Sequence, residues 1–291
     1  MTLIFLAPGQ GAQMRGMGAD LFDAYPDVTG EAEEILGYSL RRLCLEDPDG
    51  LLSDTAYTQP ALYTVTALAY YRRREALGRE PDFAAGHSLG EYNALLMAEA
   101  FSFGEGLRLV QKRGELMAAL RGGGMLAVVG PGREEIAAVL SEAGIASVDA
   151  ANLNTPRQTV LSGPEPDLRR LGEIFQARGA RAVPLNVRTA FHSRYMAQMK
   201  SAFAAFIADF SFAPLMVPVV SNFSALPYRD GEVANNLVQQ IDHGVRWTES
   251  IQYLLQEDEP VFEELSPRPL LARMVEEIKA HPLPLNIARR H

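Results

Sequence analysis

The sequence predicts an α/β fold with a largely parallel sheet and a smaller α+β unit inserted into it. Three observations carry this. Short apolar runs alternate with stretches of helical periodicity along the chain. A Gly86-His87-Ser88-Leu89-Gly90 pentapeptide stands between one such run and a helical pattern. A Gly122-Gly123-Gly124 joint then opens a segment whose order is strand, helix, strand, strand, helix, strand.

Taken in order, the strands are read at Leu3–Ala7, Phe83–Ala85, Met125–Val129, Ala146–Ala150, Thr159–Leu161, Ala182–Leu185, Val217–Ser221 and Val261–Leu265. Helical spacing of apolar residues marks Pro60–Ala76, Leu89–Ala100, Phe103–Leu120, Arg133–Ala143, Glu165–Arg178, Arg194–Phe210, Trp247–Gln256 and Leu270–Ala280. Between Met125 and Val187 the order is the ferredoxin-like βαββαβ pattern. The chain therefore divides into a small unit at 125–187 and a large one made of 1–124 and 188–291. The cleft between two such units is a natural place for a ligand.

Composition bounds the function. The 291 residues are 47% hydrophobic and 22% charged, as in an ordinary globular protein. No run approaches the roughly 20 apolar residues of a membrane helix. No basic region precedes the first apolar run, so no signal peptide is expected. A net charge of −9 argues against a nucleic-acid footprint. The basic run Arg72-Arg73-Arg74 closes a helical pattern and reads as a solvated helix end. The lone Cys44 excludes an internal disulfide and a Cys-cluster metal site, agrees with a cytoplasmic setting, and reads as buried filler.

The pentapeptide at 86–90 has the context of a nucleophile elbow: a strand ends, the chain turns sharply, and a helix begins with Ser88 on the turn. Glycines at 86 and 90 suit the close backbone approach of such a turn. The following helix N-terminus offers N–H groups and a positive dipole end to an oxyanion. At the N-terminus, Pro8-Gly9-Gln10-Gly11 follows a strand, but the spacing is not G-x-G-x-x-G and no Gly-Lys-Ser/Thr follows. Gln10 is thus either a polar group at a strand's carboxyl end, where α/β sheets place ligands, or part of a plain turn.

A serine nucleophile needs a base. His87 adjoins Ser88 and its side chain would diverge from it, so a packing role beside the site is expected. His243, His281 and His291 stand in polar or terminal surroundings and read as exposed. His192, in Ala190-Phe191-His192-Ser193, begins a helical pattern and on its own would be read as structural.

Seven segments in order resemble the acyltransferase family that includes the malonyl-CoA:acyl-carrier-protein transacylases. They are PGQGAQ (8–13), YTQPALY (57–63), GHSLGEY (86–92), QKRGELM (111–117), NLNTPRQTVLSG (152–163), AFHSRYM (190–196) and VRW (245–247). The wording of the third and fourth is most similar to the discrete, trans-acting enzymes of modular polyketide synthases. The resemblance implies a large α/β-hydrolase-like subdomain carrying a ferredoxin-like insertion. It implies Ser88 as nucleophile and His192 as base, with a dyad completed by a main-chain carbonyl, here Arg246, rather than by a carboxylate. The backbone N–H groups of Gln10 and Leu89 would hold the oxyanion. Arg113 would hold the free carboxylate of the acyl group, although its pattern alone reads as one more surface charge. Leu89 and Phe191 resemble the malonyl-selecting versions, with Met117 beside them. Asn152 and Asn154 match the segment lining the pantetheine channel, and asparagines of a strand-end loop are equally turn formers.

The expected reaction is transfer of malonyl from malonyl-CoA to the phosphopantetheine thiol of an acyl carrier protein through a seryl ester. No metal or cofactor of the enzyme's own is expected. Two departures from the family pattern stand out: His243-Gly244 where proline commonly precedes the valine, and Ser266-Pro267-Arg268-Pro269 in place of a Gly-Pro-Gly turn. An α/β-hydrolase esterase shares the elbow but places its histidine near the C-terminus. A hydrolase that clears acyl groups from carriers would have no use for Arg113, and a binding scaffold would have no use for both Ser88 and His192.

Overall fold

A computed structural model of the protein describes residues 1–283. Its elements are β1 (Thr2–Ala7), α1 (Pro26–Leu36), α2 (Leu40–Glu46), α3 (Thr55–Leu77), β2 (Phe83–Gly86), α4 (Gly90–Met97) and α5 (Phe103–Ala119). Then come β3 (Gly124–Val129), α6 (Arg133–Glu142), β4 (Asp149–Thr155), β5 (Gln158–Gly163), α7 (Glu165–Ala177) and β6 (Arg181–Pro184). The chain closes with α8 (Ala197–Ile207), β7 (Val219–Val220), α9 (Val233–Gln240), α10 (Trp247–Leu254), β8 (Pro260–Glu264) and α11 (Leu271–Ala280).

The first sheet has the order β7-β2-β1-β8, and all its pairs are parallel. Its inner strand β1 is apolar from Leu3 to Ala7 because both faces are covered. Leu3, Phe5 and Ala7 pack with α3, α4 and α5, whereas Ile4 and Leu6 pack against Trp247, Ile251, Val275 and Ile278 of α10 and α11. The second sheet, β4-β5-β3-β6, is antiparallel throughout, with α6 and α7 closing its core around Leu126, Val128, Leu161 and Phe175.

One contact ties the sheets together beside the site. Val245 N–H donates to Ala151 O (2.8 Å) and Leu153 N–H donates to Val245 O (2.9 Å), so β4 docks on the segment leading into α10. Gly244 serves this contact: a Cβ there would sit 2.5 Å from Ala150 O. The glycine that departs from the family pattern is therefore required by the close approach.

The structure also corrects the sequence reading. Helices α1, α2 and α9 were not expected. α3 starts five residues before Pro60, capped by the Asp54 carboxylate on Ala56 N–H (2.9 Å). β4 runs through Asn152 and Asn154 instead of ending at Ala150. Cys44 is buried, as expected, which pushes its thiol up to about 12. The arginines ending α3 are solvated, as expected, and also pair at the surface with Asp20, Glu263 and Glu80. Among the described residues no helix is long and apolar enough to cross a membrane.

Candidate active site

β2 ends at Gly86, and α4 starts at Gly90. Between them Ser88 has φ of 52°, a left-handed strain that a non-glycine residue holds only when its surroundings over-determine it. Those surroundings are backbone against backbone. A Cβ at Gly86 would lie 1.9 Å from the Gly90 carbonyl, and one at Gly90 would lie 2.1 Å from Ala7 O. Asn222, beyond β7, clamps the turn from below. Its Oδ1 accepts the Ser88 N–H (2.6 Å), and its amide N donates to Gly86 O (2.6 Å).

His192, also strained at φ 54°, brings Nε2 within 2.8 Å of Ser88 Oγ. Its Nδ1 lies 2.9 Å from the Gln240 carbonyl oxygen. A carbonyl only accepts, so Nδ1 carries the proton and Nε2 is left as the acceptor for the serine hydroxyl. This corrects the expectation for Arg246. Arg246 is the N-cap of α10, and its carbonyl accepts from the Ser250 N–H and hydroxyl. Gln240 is the last residue of α9, where helix carbonyls lack an intrahelical partner, so its oxygen is available to the imidazole.

Burial, then the Arg113 charge, holds the His192 imidazole down to about 3, so it is neutral at ordinary pH, with Nε2 free to accept a proton. His87 packs edge-on against Trp247 and binds Asn154 Oδ1 through Nε2 (2.8 Å), the supporting place expected for it. Asn154 is consequently engaged by His87 and does not line the cleft. Asn152 does line it, and its buried Oδ1 has no hydrogen-bond partner. His243 and His281 are exposed, and His291 lies outside the described residues.

Arg113 is not a surface charge: it is 1% exposed. The α5 residues Leu109, Val110 and Met117 that bracket it are buried too, so this face of the helix enters the core. Its guanidinium donates to Gln59 Oε1 (2.7 Å), Gln240 Oε1 (3.0 Å) and Ser88 Oγ (3.1 Å), and lies over the Tyr92 ring. No carboxylate among the described residues contacts it, and its Nε has no partner. Burial of the cation lowers its pKa. Such a charge is costly unless an anion joins it.

Ser88, His192 and Arg113 open on a cavity of about 100 Å³ also lined by Gln10, Leu89, Met117, Asn152 and Phe191. The backbone N–H groups of Gln10 and Leu89 donate to no other group among the described residues. Met117, Val187 and Phe191 are shared with an adjoining cavity of about 300 Å³, at whose rim stand Arg121 and Arg188.

Sequence reasoning missed Gln59, Gln240, Asn222 and Glu91. Glu91 is fully buried behind the elbow. Burial pushes its carboxyl up to about 7 against the hydrogen bonds it accepts from Tyr228, Gln240 and Asn222. Gln59 and Glu91 lay inside segments that carried the resemblance, and only their chemistry went unread.

A neutral histidine poised on a strained serine at the carboxyl edge of a parallel sheet defines an enzyme of the serine-nucleophile acyl-transfer class. Comparison with known proteins makes the class specific. Residues 4–283 match the acyl transferase domain, and the chain belongs to that family. It is 46% identical over 279 residues to the Bacillus subtilis polyketide biosynthesis malonyl CoA-acyl carrier protein transacylase PksC, covering 95% of this chain and 97% of that protein. It is 47% identical to the polyketide biosynthesis protein PksE of the same organism; the match covers 97% of this chain but spans only 37% of that longer relative. The crystal structure of a malonyl CoA-acyl carrier protein transacylase from Burkholderia pseudomallei superposes with a TM-score of 0.95 at 46% identity, covering 97% of this chain and 99% of that one.

Proposed function

We propose that this protein moves a malonyl group from malonyl-CoA to the phosphopantetheine thiol of an acyl carrier protein, serving polyketide or fatty-acid synthesis from the cytoplasm. The observation that carries this is Arg113: a buried guanidinium, in hydrogen-bond contact with no carboxylate among the described residues, donating to the nucleophile itself. A group esterified on Ser88 and bearing a carboxylate one carbon beyond its carbonyl brings that carboxylate to the guanidinium. The small cavity suits an acyl group of this size.

In the first half-reaction His192 Nε2 takes the Ser88 proton while Oγ attacks the thioester carbonyl. The Gln240 carbonyl keeps the imidazole in its tautomer and steadies the imidazolium that forms. The oxyanion is held by the N–H groups of Gln10, in the loop after β1, and of Leu89, at the start of α4. The tetrahedral adduct collapses, the C–S bond breaks, and CoA leaves as a thiol with the proton returned by His192. Malonyl remains as an ester on Ser88 with its carboxylate on Arg113 through parallel charge-assisted hydrogen bonds. In the second half, His192 accepts the proton of the carrier's thiol, sulfur attacks the ester, and Ser88 recovers its proton. Arg121 and Arg188 at the rim of the adjoining cavity suit the phosphate of a pantetheine arm. The protein's own side chains and main-chain groups handle every proton and charge in both halves, so the reaction calls for no resident cofactor.

Intact-protein mass spectrometry after mixing with malonyl-CoA, acetyl-CoA and methylmalonyl-CoA tests this. The wild-type protein acquires one malonyl adduct in preference to the others, and Ser88→Ala acquires none. A stable adduct on Ser88→Ala would overturn the assignment.

A further inference from the structure

Behind the dyad one side chain joins every part of the machinery. The Gln240 amide nitrogen donates both hydrogens, to Ser88 O (2.9 Å) and to Glu91 Oε2 (2.5 Å). Its Oε1 is thereby turned to Arg113 Nη2 (3.0 Å), while its main-chain oxygen holds His192. An amide of this kind can sit either way round. Reversed, Gln240 would set an oxygen against a carboxylate and a carbonyl, and an NH₂ against the guanidinium. Of the three groups that set this orientation, Glu91 is the one removed from the reacting atoms, and it is itself held by Tyr228 OH (2.5 Å) and Asn222 N–H (3.0 Å) on Oε1.

We propose that Glu91 is a positioning residue for acyl selectivity: by fixing the amide polarity of Gln240 it holds Arg113 over Ser88, where the carboxylate of the acyl group binds. The inference rests on the transfer reading above. Glu91 touches neither substrate nor Ser88 Oγ, and its hydrogen-bonded link to Arg113 runs through Gln240. The geometry makes the isosteric Glu91→Gln informative. If the oxygen of the new amide stays on Tyr228 and Asn222, its NH₂ faces the NH₂ of Gln240, so that Gln240 clashes or reverses, and reversal puts an NH₂ on Arg113. If the new amide turns the other way, its NH₂ meets the Asn222 N–H. The orientation that spares Asn222 withdraws either the Gln240 amide or the Arg113 acceptor from its place. The dyad keeps its main-chain carbonyl throughout.

The test compares malonyl and acetyl loading from their CoA thioesters, by rapid-quench mass spectrometry, in the wild-type protein and three variants. Glu91→Gln lowers the malonyl-to-acetyl ratio by about tenfold, the worth of one charged hydrogen bond. Glu91→Asp, whose shortened carboxylate draws back from Gln240, falls between and provides the reading should the amide variant not fold. Tyr228→Phe disturbs the same buried network without touching Gln240 and keeps the wild-type ratio. Wild-type loading with an unchanged ratio in Glu91→Gln and Glu91→Asp overturns the inference alone. A Tyr228→Phe protein with an equal loss of selectivity does so too, because the effect would then be general disruption. Failure of the wild-type protein to take malonyl overturns the transfer reading, and this inference with it.

Discussion

On the proposed reading, replacing Arg113 by alanine removes the partner of the malonyl carboxylate and leaves that anion to enter the cavity with no cation to meet it. Breaking one side of a buried charge pair costs about 3–5 kcal/mol. At about 1.4 kcal/mol per power of ten, malonyl loading falls roughly two to four powers of ten. Part of any loss has another origin, since Gln59 Oε1, Gln240 Oε1 and Ser88 Oγ each lose a donor with the guanidinium. Acetyl-CoA measures that shared part, because acetyl carries no carboxylate. The discriminating quantity is therefore the malonyl-to-acetyl ratio of loading rate constants, read by quenched-flow mass spectrometry of the Ser88 ester. It falls by at least about a hundredfold on this reasoning. Arg113→Lys recovers only part of it, since an ammonium is a point charge without the guanidinium's planar fork. An Arg113→Ala protein that loads both groups in the wild-type ratio would refute the assignment of Arg113 as the carboxylate anchor.

Two further outcomes follow from the geometry. With its imidazole held down to about 3, His192 stays neutral through the range where an ordinary histidine charges, so acetyl loading, which needs no carboxylate anchor, has no acid limb near pH 6.5. The linked stability has a definite sign: a depressed histidine contributes above its ordinary value of 6.5, and that contribution is lost as pH falls toward 3. Glu91, raised from 4.5 to about 7, works oppositely, contributing below 4.5 and losing that contribution as pH rises through 7. An acetyl-loading profile that halves near pH 6.5 would contradict the burial argument for His192. Asn222→Ala leaves the Ser88 N–H and the Gly86 carbonyl without their partner, at about 1–3 kcal/mol for each buried group. Denaturant unfolding should show that loss together with slower malonyl loading, and unchanged stability would mean that the clamp is dispensable.

How much of this was legible depends on where each residue's chemistry resides. The elbow was, because Gly86 and Gly90 are demanded by backbone contacts that a pentapeptide records. β1 was, because a strand covered on both faces is apolar without interruption. Arg113 was not legible from periodicity: a charge between Val110 and Met117 looks solvated until the helix is seen to turn that face inward. Gln240 was missed for a different reason. What it supplies is a main-chain oxygen at a helix end and the polarity of an amide, and neither leaves a side-chain signature. The eight-residue α9 that presents it carries two asparagines, which read as loop. β4 was displaced for the same cause, since Asn152 and Asn154 look like turn formers until β5 and Val245 are seen to take up the backbone around them.

The central claim is transfer through an ester that waits for a thiol. The most direct measurement isolates the malonyl-enzyme and follows its mass with and without carrier protein. The account predicts an adduct that persists in buffer, because Arg113 and the closely packed cavity hold the acyl group where water is a poor competitor to a thiolate. Holo carrier protein discharges it rapidly and gains the malonyl mass, whereas apo carrier protein, lacking the pantetheine thiol, leaves it in place. Prompt release of free malonate at a rate indifferent to holo carrier would contradict the account and make the protein a hydrolase.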